Sequence, residues 1–152
     1  MNKLSKSKFA KAAAFVKAQA RQVDKRLFSY YFEEGTAVSV LEALAAYQNE
    51  AGGFGHGIEP DFRLKASSPM ATSVGLQYCT AVGAEAAHPV VQKAIGYLVQ
   101  TYDRSQQYWP ATYENVNDEP HAFWWHVSEL KPPTEEQWPN PSAEIVGYLH
   151  RY

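Results

Sequence analysis

The chain has 152 residues, the length of one domain, and its 45% hydrophobic and 14% aromatic content is typical of a folded globular protein rather than a disordered one. No apolar run approaches the roughly 20 residues needed to cross a bilayer and no signal peptide is visible, so we expect a cytoplasmic protein without a membrane span. The formal net charge is only −2, but the charges are unevenly distributed, since residues 1–26 hold eight of the 14 Lys and Arg residues and one of the 16 Asp and Glu residues. The rest of the chain is therefore acidic, which argues against a nucleic-acid binder.

The first predicted helix spans Ser5 to Phe28. It carries an apolar stripe at helical spacing, with the lysines mostly off it, formed by Phe9, Ala13, Val16, Ala20, Val23 and Leu27. A basic N-terminal segment can be a nucleic-acid or membrane arm. We favour an amphipathic helix with a solvated basic face, because a mobile arm would not need the stripe.

Four further helices are predicted from their end signals. Thr36 is expected to cap the second helix, which Gly52-Gly53 should stop, because glycine tolerates the left-handed backbone that closes a helix. A polar cap followed by a proline in the first turn opens each of the others, at Ser68-Pro69, His88-Pro89 and Asn140-Pro141. The last helix is still in mid-pattern at Tyr152, so the chain either ends in a helix or is the front part of a longer protein.

The helices fall into two alternating classes. The segment Pro69-Met-Ala-Thr-Ser-Val-Gly-Leu matches Pro141-Ser-Ala-Glu-Ile-Val-Gly-Tyr at Pro, Ala, Val and Gly, and the second and fourth helices both end in a Gln- or Tyr-rich tail followed by an aromatic residue. Alternation of this kind predicts a two-layer ring of helical hairpins, and therefore a single all-α domain over residues 1–152. Because about five helices cannot close a ring, we expect a second copy to cover its open edges.

The seam between the second and third helices resembles a known repeat. Gln48-Asn-Glu-Ala-Gly-Gly-Phe-Gly is similar to the Gln…Gly-Gly-Phe/Trp repeat of the prenyltransferase and squalene-cyclase superfamily. The chain also resembles bacterial members of unassigned function that share Gly-Gly-Phe-Gly, Glu-Pro-Asp and Pro-His-Ala-x-Trp-Trp, here Pro120 to Trp125. The resemblance implies an incomplete α/α toroid of the terpenoid cyclase and protein prenyltransferase type.

The sequence lacks the residues that either family activity, terpenoid cyclisation or protein prenylation, would require. The Asp-x-Asp-Asp acid motif of the cyclases is absent, and Cys79, the single cysteine, lacks the Asp-x-Cys context of the prenyltransferase zinc site. We therefore predict no metal and no other cofactor. Among apolar neighbours in the middle of a helix, Cys79 is expected to be a small buried hydrophobe.

In the toroids that the chain resembles, the loops leading into the inner helices line one mouth of a central cavity. The resemblance implies that polar and aromatic side chains of two such loops share this rim, His56, Glu59, Asp61, Thr72 and Ser73 from the first and Glu114, Asn115, His121, Trp124, Trp125 and Glu144 from the second.

Three of these residues are candidates for catalysis. Glu59 and Asp61 flank a proline that could aim both carboxylates consistently, and a carboxylate pair beside His121 is the minimum set for general acid/base chemistry. The alternatives are structural. The carboxylates would then accept hydrogen bonds from loop N–H groups or Arg63, and His121 would hold its loop together. His56, His121 and Asp61 show no close spacing that would support a metal site.

The function expected from this rim is a cavity for a small organic, isoprenoid-like ligand. Trp124 and Trp125 would form its wall, within an aromatic segment that extends to Trp138. One alternative is a carbohydrate site, in which the rings serve as flat platforms for sugars. Another is a non-catalytic scaffold, in which the rings only pack the loop. Whether a reaction is catalysed stays open at this stage.

Overall fold

A computed structural model describes residues 4–128 and 139–152. Over these residues the chain contains six α-helices, α1 (Lys6–Gln19), α2 (Gln22–Phe32), α3 (Ala37–Ala45), α4 (Pro69–Ala81), α5 (Pro89–Gln100) and α6 (Pro139–Arg151), with 3-10 helices at Glu114–Asp118 and Phe123–Trp125. These two ranges contain three isolated antiparallel bridges and no strand. The predicted all-α class is therefore confirmed. None of the helices described is long and apolar enough to cross a membrane.

The single first helix predicted from Ser5 to Phe28 is wrong, because the structure divides it. Ala20 and Arg21 have extended backbones, with ψ of 161° and 158°, and α2 then continues to Phe32. No glycine or proline marks the break. Residues far away in the sequence stabilise the break, because the Arg21 guanidinium donates to the carbonyl oxygens of Gly57 and Ile58 at 3.2 and 2.7 Å.

The predicted helix starts are confirmed at three caps. The side chains of Thr36, Ser68 and His88 accept hydrogen bonds from backbone N–H groups in the first turns of α3, α4 and α5, at 3.2, 3.1 and 3.3 Å. In α6, Asn140 has extended angles (φ −119°, ψ 113°), so regular helix begins at Pro141, as the sequence indicates. These starts depend on local chemistry alone.

The glycine seam differs from the prediction in two respects. Helix α3 ends at Ala45, so the predicted stop at Gly52-Gly53 is wrong, and the first of the two glycines lies seven residues further on, in a separate turn. The left-handed residue is Gly52, with φ of 92°, whereas Gly53 does not have a positive φ. Gly53 is instead required for space, because a Cβ atom there would lie 2.7 Å from Cβ of Ser67 and 2.8 Å from the Tyr97 ring. The side chain of Gln48 secures the turn by donating to the Gly52 and Val90 carbonyl oxygens at 2.8 and 2.9 Å.

Helix α4 is the centre of the described fold. It packs against α3, α5 and α6, and every residue from Pro69 to Leu76 is buried. The ring of Phe54 lies directly over Gly75. Cys79 is buried as predicted, and burial raises the pKa of its thiol to about 12.

Candidate functional site

The two predicted rim loops meet at a short antiparallel pairing. The N–H of Arg63 donates to the carbonyl oxygen of Pro120, and that of Ala122 donates to the carbonyl oxygen of Asp61, both at 2.8 Å, so that Phe62 stands opposite His121. Side chains directly opposite in such a pair lie on the same side, and adjacent side chains alternate. The His121 ring therefore lies on the side of buried Phe62, whereas the exposed Asp61 carboxylate points to the other side.

His121 is held in a chain of hydrogen bonds. Its Nδ1 lies 2.7 Å from the carbonyl oxygen of Glu119, and its Nε2 lies 3.2 Å from Nδ1 of His126. The two imidazole planes are inclined by only 19°, and their centroids are 5.4 Å apart. This distance exceeds the nitrogen–nitrogen distance by about two ring radii, so the nitrogens lie near the line between the ring centres. The geometry is that of an in-plane hydrogen bond rather than of face-to-face stacking.

The bond to Glu119 assigns the tautomers of the histidine pair. A carbonyl oxygen can only accept, so Nδ1–H of His121 donates to it. In a neutral pair Nε2 of His121 then accepts from Nδ1–H of His126, and the remaining acceptor lone pair is on Nε2 of His126. His126 is exposed, so this nitrogen is the end of the chain that solvent or a ligand can reach.

Two exposed aromatic residues precede His126 in the chain. Phe123 is the first residue of the second 3-10 helix, and His126 is the cap that follows it, with its N–H donating to the Phe123 carbonyl oxygen at 3.3 Å. Phe123 is 84% exposed and Trp124 58% exposed, and their rings meet edge to face at 4.9 Å. Trp125 instead packs edge-on against Phe62 at 5.3 Å. Its indole N–H is buried without a hydrogen-bond partner among the residues described.

Glu59 and His56 of the first loop form hydrogen bonds within their own part of the chain rather than with the histidine pair. Glu59 is half-buried, and one of its carboxylate oxygens accepts from the N–H of Asp61 at 3.2 Å. Burial raises the pKa of Glu59, and the Asp61 carboxylate adds to this effect. His56 is exposed with φ of 53°, and its Nε2 lies 2.8 Å from Oδ1 of Asn49.

Ser73 and Glu144 meet between α4 and α6. The buried Ser73 hydroxyl donates to the Glu144 carboxylate, which also accepts from Gln77 at 3.0 Å and from the Tyr148 hydroxyl at 2.6 Å. Burial, together with the bond to Glu144, raises the pKa of Tyr148. Because every partner of this carboxylate lies on α4 or α6, the cluster joins the two helices.

Thr72 is also buried, and its hydroxyl is hydrogen-bonded to the backbone. Its hydroxyl donates to the Ser68 carbonyl oxygen at 2.8 Å and accepts from the Phe54 N–H at 3.0 Å. Glu114 and Asn115, by contrast, are exposed on the first 3-10 helix. Trp138 lies outside the described residues.

A second polar cluster was not singled out in the sequence. Arg21 donates from Nε to the Asp24 carboxylate at 2.7 Å and from Nη2 to the Tyr78 hydroxyl at 3.0 Å, in addition to its bonds to the loop carbonyls. Tyr78 donates in turn to Asp24, and burial raises the pKa of its hydroxyl. With its donors occupied in this way, Arg21 fastens α2 to α4 and to the glycine-rich loop.

Within the described ranges no group of three or more His, Cys, Asp or Glu side chains is placed to hold a metal ion. No protein-family model matches the chain, and neither a curated protein nor a solved structure matches it.

His126 is the site residue that sequence reasoning missed. It follows His121 by five residues and flanks the same aromatic triplet, and this spacing is the signal that could have identified it. The arrangement unites His121, His126, Phe123 and Trp124, which we call the aromatic–histidine site.

Proposed function

We propose that the chain binds a small organic ligand of the carbohydrate class at the aromatic–histidine site. The observation that carries the proposal is the exposure of the Phe123 and Trp124 rings within three residues of His126, an exposed side chain that is hydrogen-bonded to His121. A sugar presents an apolar C–H face and hydroxyl groups, so it can cover the rings while a hydroxyl donates to Nε2 of His126.

An isoprenoid ligand fits these rings less well. Rings that stabilise a carbocation must surround it and exclude water, whereas Phe123 and Trp124 are largely exposed. A flat ring beside a polar group suits a ligand that remains partly hydrated. The isoprenoid expectation is therefore retained only as a competing outcome of the test.

We also propose the α/α-toroid arrangement, with bacterial prenyltransferase-like relatives, for the fold that presents this site. It is supported by the pairing of α4 with α6, the two helices that share the Pro-x-Ala-x-x-Val-Gly pattern. A second copy covering the open edges of the ring is part of the same proposal. Light scattering that gives a stable monomer at high dilution would argue against the second copy.

If the bound ligand reacts, His126 is placed to exchange a proton with one of its hydroxyl groups. His121 acts as the positioning residue, because its bonds to Glu119 and to His126 fix the tautomer and orientation of the outer ring. The proposal requires binding and does not require turnover.

Binding is tested by calorimetry and thermal shift with a panel of oligosaccharides and, in parallel, prenyl diphosphates. We expect an oligosaccharide to bind and Trp124→Ala to weaken its binding by about 2 kcal/mol, roughly thirtyfold, as for a central aromatic contact. His126→Ala should weaken it by about 1 kcal/mol through the lost hydrogen bond. Phe32→Ala is the matched control, since Phe32 is a similarly exposed ring on α2.

The outcomes separate the candidate functions. Binding of prenyl diphosphates alone would replace carbohydrate with an isoprenoid. Absence of binding in both panels would favour the non-catalytic scaffold. Oligosaccharide binding that is equally strong in Trp124→Ala and Phe32→Ala would refute the site, provided that circular dichroism shows unchanged helical content.

A further inference from the structure

Helix α1 lies at the margin of the fold, and none of its residues is buried. Its contacts with the body come from one side. The Phe9 ring meets Phe28 and Phe32 of α2 at 6.0 and 5.6 Å, and Lys17 forms an ion pair with Glu33. These contacts define the inner side of α1.

A second group of side chains lies on the opposite side. Lys8, Lys11 and Phe15 are spaced i, i+3 and i+7, so they share one face of the helix. Lys17 follows Lys8 by nine residues, which is half a turn out of phase at 3.6 residues per turn, so this face points away from α2. Phe15 is 68% exposed, and Leu4, just before the helix, is 62% exposed. We call Leu4, Lys8, Lys11 and Phe15 the outer face.

The charged side chains of α1 are all positive. Helix α1 contains four lysines and no acidic residue, and within residues 1–26 Asp24 is the only one of the chain's 16 Asp and Glu residues. The rest of the chain is acidic. An anionic surface would therefore attract α1 and repel the body, which orients the molecule with α1 toward that surface.

We propose that the outer face of α1 docks on the surface of an anionic lipid bilayer. Phe15 and Leu4 would enter the boundary between headgroups and acyl chains, while the lysines keep their ammonium groups among the phosphates. The helix would lie in the plane of the interface, since its 14 residues are fewer than a span requires.

Two other occupants are less consistent with these residues. A second copy of the chain would have to bury Lys8 and Lys11 beside Phe15, and lysine is depleted in protein–protein interfaces. A nucleic acid would pair with the lysines but would leave Leu4 and Phe15 without an apolar environment, because phosphates provide most of its contacts.

The test is co-sedimentation of the full chain with vesicles of phosphatidylcholine alone and of phosphatidylcholine with phosphatidylglycerol. We expect binding to the mixed vesicles and not to the neutral ones, with weakening by salt. Lys11→Glu should reduce the partition coefficient at least about fivefold, and Phe15→Ser about tenfold or more.

Two matched variants outside α1 control for the change in charge and for the removal of an apolar side chain. Lys93→Glu changes the net charge as Lys11→Glu does, but at an exposed residue of α5, and Val38→Ser removes an exposed apolar group from α3. Both should bind vesicles like the unchanged protein. Circular dichroism establishes that each variant keeps its helical content.

Several results would overturn the proposal. These are equal binding to neutral vesicles, equal losses in Lys11→Glu and Lys93→Glu, and binding unaffected by Phe15→Ser. Failure to bind any vesicle would also overturn it. In that case, self-association abolished by Phe15→Ser would identify a second copy as the occupant, and duplex DNA binding abolished by Lys11→Glu would identify a nucleic acid.

Discussion

Replacing Gly75 with alanine places one methyl group at the most crowded position of α4. A Cβ atom there would lie 2.5 Å from Cδ2 and 2.6 Å from Cγ of Phe54. Since carbon atoms in contact are normally 3.5–4.0 Å apart, the ring would have to move by about 1 Å. Phe54 is fully buried, and its backbone is bonded to Thr72 at 3.0 Å and to Ser68 at 3.2 Å, so it has little room to yield.

The size of the effect is a balance of two terms. Overpacking of a buried site costs about 1–3 kcal/mol, and with three ring atoms closer than 3.0 Å we expect the upper end of this range. Alanine in place of a helical glycine returns about 1 kcal/mol. We therefore expect Gly75→Ala to lower the free energy of unfolding by about 2 kcal/mol and the melting temperature by about 4–8 °C.

Gly96→Ala is the matched control. Gly96 lies in α5, and a Cβ atom there would meet no other atom within 4 Å, so the same substitution should stabilise the protein by about 1 kcal/mol. Both variants are compared by urea unfolding followed by circular dichroism, with the midpoint interpreted only if the slope is unchanged.

If Gly75→Ala proved as stable as Gly96→Ala, the proposed contact with Phe54 would be refuted. Adding Phe54→Leu to Gly75→Ala gives a second check. The smaller side chain should remove part of the clash, so the two changes together should cost less than the sum of their separate effects.

Three further predictions follow from the polar and thiol groups. Arg21→Lys should destabilise the protein by about 2–3 kcal/mol in urea unfolding, because an ammonium cannot reproduce the guanidinium bonds to Asp24 and the loop carbonyls. The control, Arg104→Lys on an exposed turn, should have almost no effect. Equal effects would mean that Arg21 does not fasten the loop. Burial raises the pKa of Glu59, so its ionisation opposes folding as pH rises from the unfolded-state pKa toward the folded-state value. Glu59→Gln should therefore stabilise the protein slightly at neutral pH, by less than about 0.5 kcal/mol, which is measured as a small rise in melting temperature. At about pH 3.5, where Glu59 is largely protonated in both states, the melting temperature should be unchanged. A gain at both pH values would contradict this. The Cys79 thiol, with its pKa raised by burial to about 12, should react with a thiol reagent only at the rate of unfolding, and fast labelling of the native protein would show that the site opens locally.

The helix starts could be predicted from the sequence because their causes are local. Thr36, Ser68 and His88 each cap a helix through a backbone N–H two or three residues away, and a proline follows two of them. The apolar pattern likewise indicates the all-α class. Each of these features depends on neighbours within a turn or two of the chain.

The candidate site was only partly predictable for the same reason. His121 and Trp124 could be selected by residue type, but the role of His126 depends on an in-plane bond whose geometry is fixed by the pairing of residues 61–63 with residues 120–122. Trp125 and Trp124 are adjacent and identical in type, yet one packs on Phe62 and the other is largely exposed. A loop sequence does not specify which side of the loop the rest of the chain will cover.

The sequence by itself therefore determined the helical class, most of the helix starts and the basic character of the N-terminal end. Only the tertiary structure decided the break before α2, the outward direction of Phe15 and the pairing of the two histidines. The break shows the physical reason, because Arg21 is held by carbonyl oxygens 36 and 37 residues further along the chain. Interactions of this length are formed only when the whole chain has folded, and no local pattern encodes them.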